Sequence, residues 1–159
     1  VYKRLEEFPE DASHVFVSCE GNDALESGYV LEESARSVSE ALGKLHSITE
    51  RFRLNYSHML KALLEKHPNL VACTIYNTIP EVPKEALTAL ALFNEVILEE
   101  AFKRKLPIID LRTICNEKED YSEVSPIEPS HQGGMKIVNT IKEVIETHGF
   151  NEQMSCVYT

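Results

Sequence analysis

The sequence predicts an α/β domain built on a mainly parallel sheet. Three observations lead there. Short apolar runs of β-forming residues recur at residues 14–19, 70–76 and 107–111. Longer stretches with a helical apolar period follow each of them. The resulting order, strand–helix three times over, needs right-handed crossovers and therefore parallel strands. With 159 residues, the chain is long enough for one domain with a real core.

The elements justify themselves in turn. His14-Val15-Phe16-Val17-Ser18-Cys19 reads as a buried strand, and Glu20-Gly21-Asn22-Asp23 as the turn that ends it. Residues 34–67 carry apolar positions at helical spacing, from Val38, Ala41 and Leu45 to Met59 and Leu63. They form one long helix, or two with a kink near Ser47, stopped by Pro68-Asn69. Leu70 to Tyr76 is a second buried strand, followed by a loop from Asn77 to Pro83. Pro83 suits the start of a helix running from about Lys84 to Lys105, whose inner stripe includes Leu87, Leu90, Asn94 and Ile97. Pro107 to Leu111 is a third strand, and Asn116 to Ser130 a loop. Gly133-Gly134 opens a last helix, with Gly149 as its C-terminal cap. One domain, 1–150, is expected, with a tail at 151–159 that carries no structural signal.

Composition narrows the function classes. A net charge of −10 gives no long-range attraction to nucleic acid or anionic lipid. No apolar run reaches the roughly 18 residues that span a bilayer. The first residues contain no apolar stretch of signal-peptide type. The four cysteines, Cys19, Cys73, Cys115 and Cys156, include no CxxC pair. They read as buried thiols, which favours a reducing, cytoplasmic compartment. Burial blunts a thiol, so Cys19 and Cys73 are weak candidates for a nucleophile. His46 and His58 do not stand at i, i+4 spacing, and no metal or cofactor is expected.

Ligands of open α/β sheets bind beyond the carboxyl ends of the strands. Two constellations fall there. Gly21-Asn22-Asp23 follows the first strand: a glycine permits close backbone approach, and an asparagine amide can donate to a developing oxyanion. The bland alternative is an ordinary turn. Ile127-Glu128-Pro129-Ser130-His131 precedes the last helix, where a glutamate or histidine can act as a base. The bland alternative there is capping of the helix by Ser130 or a neighbour.

Taken together, five stretches resemble the SGNH (GDSL-type) hydrolases, most closely a bacterial branch of them. They are residues 11–25, 73–76, 92–97, 106–112 and the block from Asp120-Tyr121 through Pro126-Ile127-Glu128-Pro129-Ser130 to Gly133-Gly134-Met135-Lys136-Ile137. The resemblance covers nearly the whole chain up to Gly149. It implies a three-layer α/β/α, flavodoxin-like fold with strand order 2-1-3-4-5, of which this chain would supply the last three strands. It also implies an esterase- or lipase-like activity on a small-molecule ester. In the family a serine of a Gly-Asp-Ser motif attacks the acyl carbon, an Asn helps form the oxyanion hole, and an Asp-x-x-His supplies the base and its orienter.

Carried over, Asn22 would donate to the oxyanion, with Gly21 and Asp23 shaping the turn. Glu20 stands where the family has a glycine, and no Gly-Asp-Ser occurs, so the nucleophile is expected upstream of Val1. Aligning the last block places Glu128 at the base position and Ser125 at the aspartate position, with His131 three residues later. An ordinary glutamate titrates near about 4.3 and a histidine near about 6.5, so chemistry favours His131 while register favours Glu128. The second function class is a non-catalytic ligand-binding or protein-interaction domain. An upstream segment or a partner chain is expected to cover the open edge of the strand near Val15, since such edges invite pairing.

Overall fold

The computed structural model describes residues 9, 11–18, 20–152 and 154–159, with only the backbone described at Glu20, Asn22 and Asp23. The elements in chain order are β1 (Val15–Val17), α1 (Glu20–Glu26), a 3-10 segment (Ser27–Glu32), α2 (Val38–Lys66) and β2 (Leu70–Cys73). They continue with α3 (Lys84–Lys103), β3 (Ile108–Ile109), the single turn α4 (Leu111–Ile114), a 3-10 turn (Lys118–Asp120), α5 (His131–Thr147) and β4 (Val157–Tyr158). The chain is an α/β protein with a small sheet ordered β1-β2-β3-β4, every described pair parallel.

The apolar run of β2 is continuous because both faces of the strand are buried. Leu70 and Ala72 point into a core with Phe52, Leu60, Phe93 and Ile97 of α2 and α3. Val71 and Cys73 point the other way, into a second core with Val144 of α5 and Leu111. This is the two-residue alternation of a strand serving two interfaces. Valines 15 and 17 of β1 join the first core, in register with Leu70 and Ala72. The expected cover of the outer edge of β1 falls outside the described residues.

Several expectations change. Residues 20–23 are not a turn but the start of α1. Gly-Asn-Asp is turn-forming by composition, yet acids near a helix start are favoured by the dipole, and Ala24-Leu25-Glu26 are good helix formers. The long helical stretch is one unbroken helix of 29 residues. Ser47 returns its hydroxyl to the Gly43 carbonyl at 3.0 Å inside it. The second strand stops at Cys73 rather than Tyr76. Beyond it, Asn94 of α3 takes the place of a strand: its Oδ1 accepts from Ile75 N at 2.7 Å and its Nδ2 donates to Ile75 O at 2.8 Å. Gly149 is not a left-handed cap, since no described glycine has positive φ; α5 ends as His148 turns extended. Lys105, at φ 57°, takes the left-handed position after α3 instead. The tail is not featureless either. Val157–Tyr158 adds a fourth parallel strand beside β3, and the Tyr158 hydroxyl lies 3.2 Å from His148 Nδ1.

Helices α2 and α3 are joined by a buried charge. Glu100, 4% exposed, accepts from Lys103 Nζ at 2.9 Å and Arg104 Nη1 at 2.6 Å. Arg104 also donates to Ser57 Oγ of α2 at 2.7 Å. Burial pushes the Glu100 carboxyl up, but Lys103, Arg104 and Ser57 outweigh it and hold it at about 2. A folded pKa below the unfolded one, about 4.3, contributes stability above that unfolded value and loses it as pH falls toward the folded one. Thermal unfolding at fixed ionic strength should therefore shift downward between pH 5 and pH 2. Glu100→Gln should flatten that part of the profile by on the order of 2 kcal/mol.

Candidate functional site

A cavity of about 280 Å³ opens at the carboxyl ends of β1 and β2. This is where ligands of open α/β sheets bind. Its floor is made by buried side chains: Ile48 of α2, Ile75 after β2, Leu90 and Phe93 of α3, and Leu111 of α4. Its rim carries Leu25 of α1, Leu31 of the 3-10 segment, and Ile127 of the loop before α5, all exposed. The polar lining is confined to hydroxyl groups, on Ser18, Ser27, Thr74 and Tyr76, together with backbone; no described charged side chain lines it.

One described residue from each sequence constellation lines the cavity. Gly21 lines it from the first turn of α1, and Ile127 lines it from the second constellation. The backbone of Asn22 and Asp23 follows Gly21 in α1; their side chains lie outside the described part. Tyr76 anchors the second constellation, because its hydroxyl donates to the Ile127 carbonyl oxygen. Burial pushes the Tyr76 phenol up, and electrostatic interaction with Cys115 and Glu128 adds to it. Glu128 thus sits on an exposed loop within electrostatic reach of the cavity wall. His131 is the exposed first residue of α5, on the far side of the cap residue Ser130. Neither the Glu128 nor the His131 side chain is held by a hydrogen bond to a described residue.

The capping role foreseen for Ser130 is present: its Oγ accepts from Gly133 N at 3.2 Å. The same hydroxyl donates to Glu119 O at 2.6 Å. Behind this cap lies a carboxylate whose role the sequence did not disclose. Asp120 is fully buried. It accepts from Glu117 N at 3.0 Å, Gln132 Nε2 at 3.0 Å and Lys136 Nζ at 2.8 Å. Burial pushes its carboxyl up, but Lys136 and the two N–H donors hold it below the usual range. Its own carbonyl accepts from Ser130 N at 2.7 Å. Asp120 therefore ties both ends of the loop that carries Ile127 and Glu128.

Gly133 belongs to this clamp. A Cβ built on it would stand 2.2 Å from the Asp120 carbonyl oxygen, which is backbone and cannot swing aside. Gly133→Ala should cost about 3 kcal/mol by overpacking. A Cβ on Gly134 meets nothing within 4 Å, so Gly134→Ala should instead gain about 0.5–1 kcal/mol. Denaturant unfolding of both variants checks the pair.

Two further polar groups hold the cavity wall. Asp110, at the end of β3, accepts from Thr74 Oγ1 at 2.8 Å and from Arg112 Nε and Nη2 at 2.7 and 2.6 Å. Burial opposes its ionisation, yet Arg112 and Thr74 hold its pKa down. With those lone pairs occupied, Asp110 locks β2 to α4 and is not a free acid. Asn94 does the same between α3 and Ile75. The sequence offered a signal for each: an acid directly after an apolar strand, and one amide in an apolar helical stripe.

Cysteine chemistry is disfavoured at Cys73 and Cys115, while Cys156 is only half-buried. Cys73 and Cys115 are buried. Burial and the Asp120 charge push the Cys115 thiol up to about 11. Cys19 lies outside the described residues. Among the described residues, no group of three or more His, Cys, Asp or Glu is placed to hold a metal ion, and no helix is long and apolar enough to cross a membrane. No protein-family model, no curated protein and no solved structure matches the chain.

Proposed function

We propose that the chain is part of an SGNH-type acyl-ester hydrolase with the family's three-layer α/β/α arrangement, and that the cavity receives the acyl group of a small ester. One observation carries this reading. A largely apolar cavity lies at the carboxyl ends of the parallel strands, bordered by Gly21 on one side and by Ile127, next to Glu128, on the other. In this reading a serine from a Gly-Asp-Ser segment outside these residues attacks the ester carbonyl carbon. Its proton passes to the base, and the oxyanion takes a hydrogen bond from Asn22. Collapse expels the alcohol, which recovers the proton, and water then releases the acid. Of the two candidates for the base, we assign Glu128, because it directly follows Ile127, which lines the cavity, whereas His131 opens α5 beyond the cap residue Ser130.

The test uses the protein expressed from its full gene. It should hydrolyse short- and medium-chain aryl esters, and a serine-directed alkyl fluorophosphonate should abolish turnover while adding one phosphonyl group by mass. Absence of both turnover and labelling would overturn the hydrolase reading.

One observation favours a second reading, binding without turnover: no described residue orients the Glu128 or His131 side chain by a hydrogen bond. Under it, ligands bind the cavity of the full-length protein with no hydrolysis of any ester tested and no phosphonyl adduct.

A further inference from the structure

We infer that the cavity is selective for an uncharged acyl chain of medium length, about eight carbons, entering over the Leu25–Ile127 rim and ending against Phe93. The turnover of such esters rests on the hydrolase reading; the binding preference does not.

The lining decides the charge. No described charged side chain borders the cavity, and the chain carries a net charge of −10. Among the described lining residues a buried carboxylate head would meet no cationic partner, and an unpaired ion in an apolar site is strongly disfavoured. An ester, amide or alcohol head needs only hydrogen bonds: Thr74 and Tyr76, whose protons go to Asp110 and Ile127, can accept one, and Ser18 brings a further hydroxyl to the lining.

The volume and the floor decide the length. At roughly 30 Å³ per water-sized group, the cavity holds about nine such groups, where its volume is about 280 Å³. The floor is closed by Phe93, 4% exposed and packed against Phe52 with ring centroids 5.0 Å apart. A chain that reaches it meets the buried core side chains of α2 and α3. The rim decides the direction of entry. Leu25, Leu31 and Ile127 are 57%, 43% and 41% exposed, and a bound chain would cover apolar surface that now faces water. Each added methylene should then strengthen binding about fourfold until the floor is reached.

The experiment measures binding, not catalysis. Straight-chain alkanamides from butanamide to dodecanamide, and octanoate at pH 8, displace a fluorescent apolar probe from the full-length protein. Affinity should rise about three- to fourfold per carbon up to about octanamide and then level off, and octanoate should bind at least about thirtyfold more weakly than octanamide. Ala86→Phe, which fills the cavity from the half-buried lining face of α3, should move the plateau to about four carbons. Phe93→Ala should move it two or three carbons longer. Because that variant removes core packing, Ala86→Phe decides if Phe93→Ala does not fold. A flat length series, equal binding of octanoate, or a plateau unmoved by Ala86→Phe overturns the inference. If the series behaves as expected and esters are not turned over, the hydrolase reading fails and this inference stands. If esters are turned over without length dependence, this inference alone fails.

Discussion

Glu128→Gln should lower ester turnover by the full-length protein by on the order of a thousandfold or more, the scale seen when a general base is removed from a serine hydrolase. The amide keeps the shape of the side chain and its place beside Ile127, so folding and ligand binding should be preserved while proton transfer is lost. KM should change little, because the carboxylate matters to the transition state and not to the apolar contacts. His131→Ala should stay within about threefold of the parent, since truncating an exposed side chain with no hydrogen-bond partner among the described residues removes little. Steady-state kinetics on an aryl ester, with thermal unfolding as the folding control, measures both. A collapse of turnover in His131→Ala with Glu128→Gln active would move the base to the helix start. Full activity in both would show that the loop before α5 is not the catalytic edge.

Asp120→Ala should destabilise the fold by about 2–3 kcal/mol, chiefly because the Glu117 backbone N–H loses its acceptor and the Lys136 and Gln132 donors lose one of theirs. The Lys136 ammonium, 33% exposed, would lose its interior partner and keep only the outer Glu117 carboxylate. Three donors now point at Asp120: the Glu117 backbone amide would lose its acceptor, while Gln132 and Lys136 would keep only the Glu117 carboxylate. The damage should spread along the loop, because the Ser130 cap and the Ile127 rim hang from the same segment. Hydrogen exchange should show lost protection at Ser130, Gly133 and Gly134, whose amides bond within this clamp. The pH sign is fixed as well. The Asp120 carboxyl is held below its ordinary value, so its contribution is complete above about pH 4 and fades as acid protonates it. Below that range the variant and the parent should converge. A loss under about 1 kcal/mol at pH 7 would contradict the clamp.

The parts of the fold that were legible in the sequence are those whose signal is local. Leu70 to Cys73 is apolar throughout because both faces of β2 are buried, and that pattern survives without any knowledge of partners. The long period of α2 is equally local, and Ser37 marks its start by accepting from Glu40 N at 3.1 Å. The failures share a different cause. Val157–Tyr158 is two residues long with one side exposed, too short to show a period, and it is a strand only because Ile108 and Ile109 offer it an edge. Gly21-Asn22-Asp23 is turn-forming by composition, but α1 continues through it. Tyr76 was read as the last residue of a strand, yet the ladder is replaced at Ile75 by the amide of Asn94, nineteen residues away.

The site divides along the same line. The carboxyl ends of the strands were identifiable from strand order alone, and the cavity lies there, touching both Gly21 and Ile127. That the cavity is apolar was not legible. Its floor is assembled from Ile48, Ile75, Phe93 and Leu111, which lie on four different segments and each read as ordinary core. The buried state of Asp120 was likewise hidden, because nothing in Glu117-Lys118-Glu119-Asp120 distinguishes the one inward acid from its exposed neighbours.

The claim that this cavity is the ligand site has a direct measurement. Isoleucine δ-methyl groups are labelled with carbon-13, and octanamide is titrated into the full-length protein while their resonances are followed. Ile48, Ile75, Ile79 and Ile127 line the cavity, whereas Ile108 and Ile109 lie in the sheet and Ile137 and Ile141 on α5 against the second core. Saturable shifts at the first four, with the last four nearly still, are the result expected. Shifts concentrated at Ile137 and Ile141, or none up to the solubility limit of the amide, would contradict it.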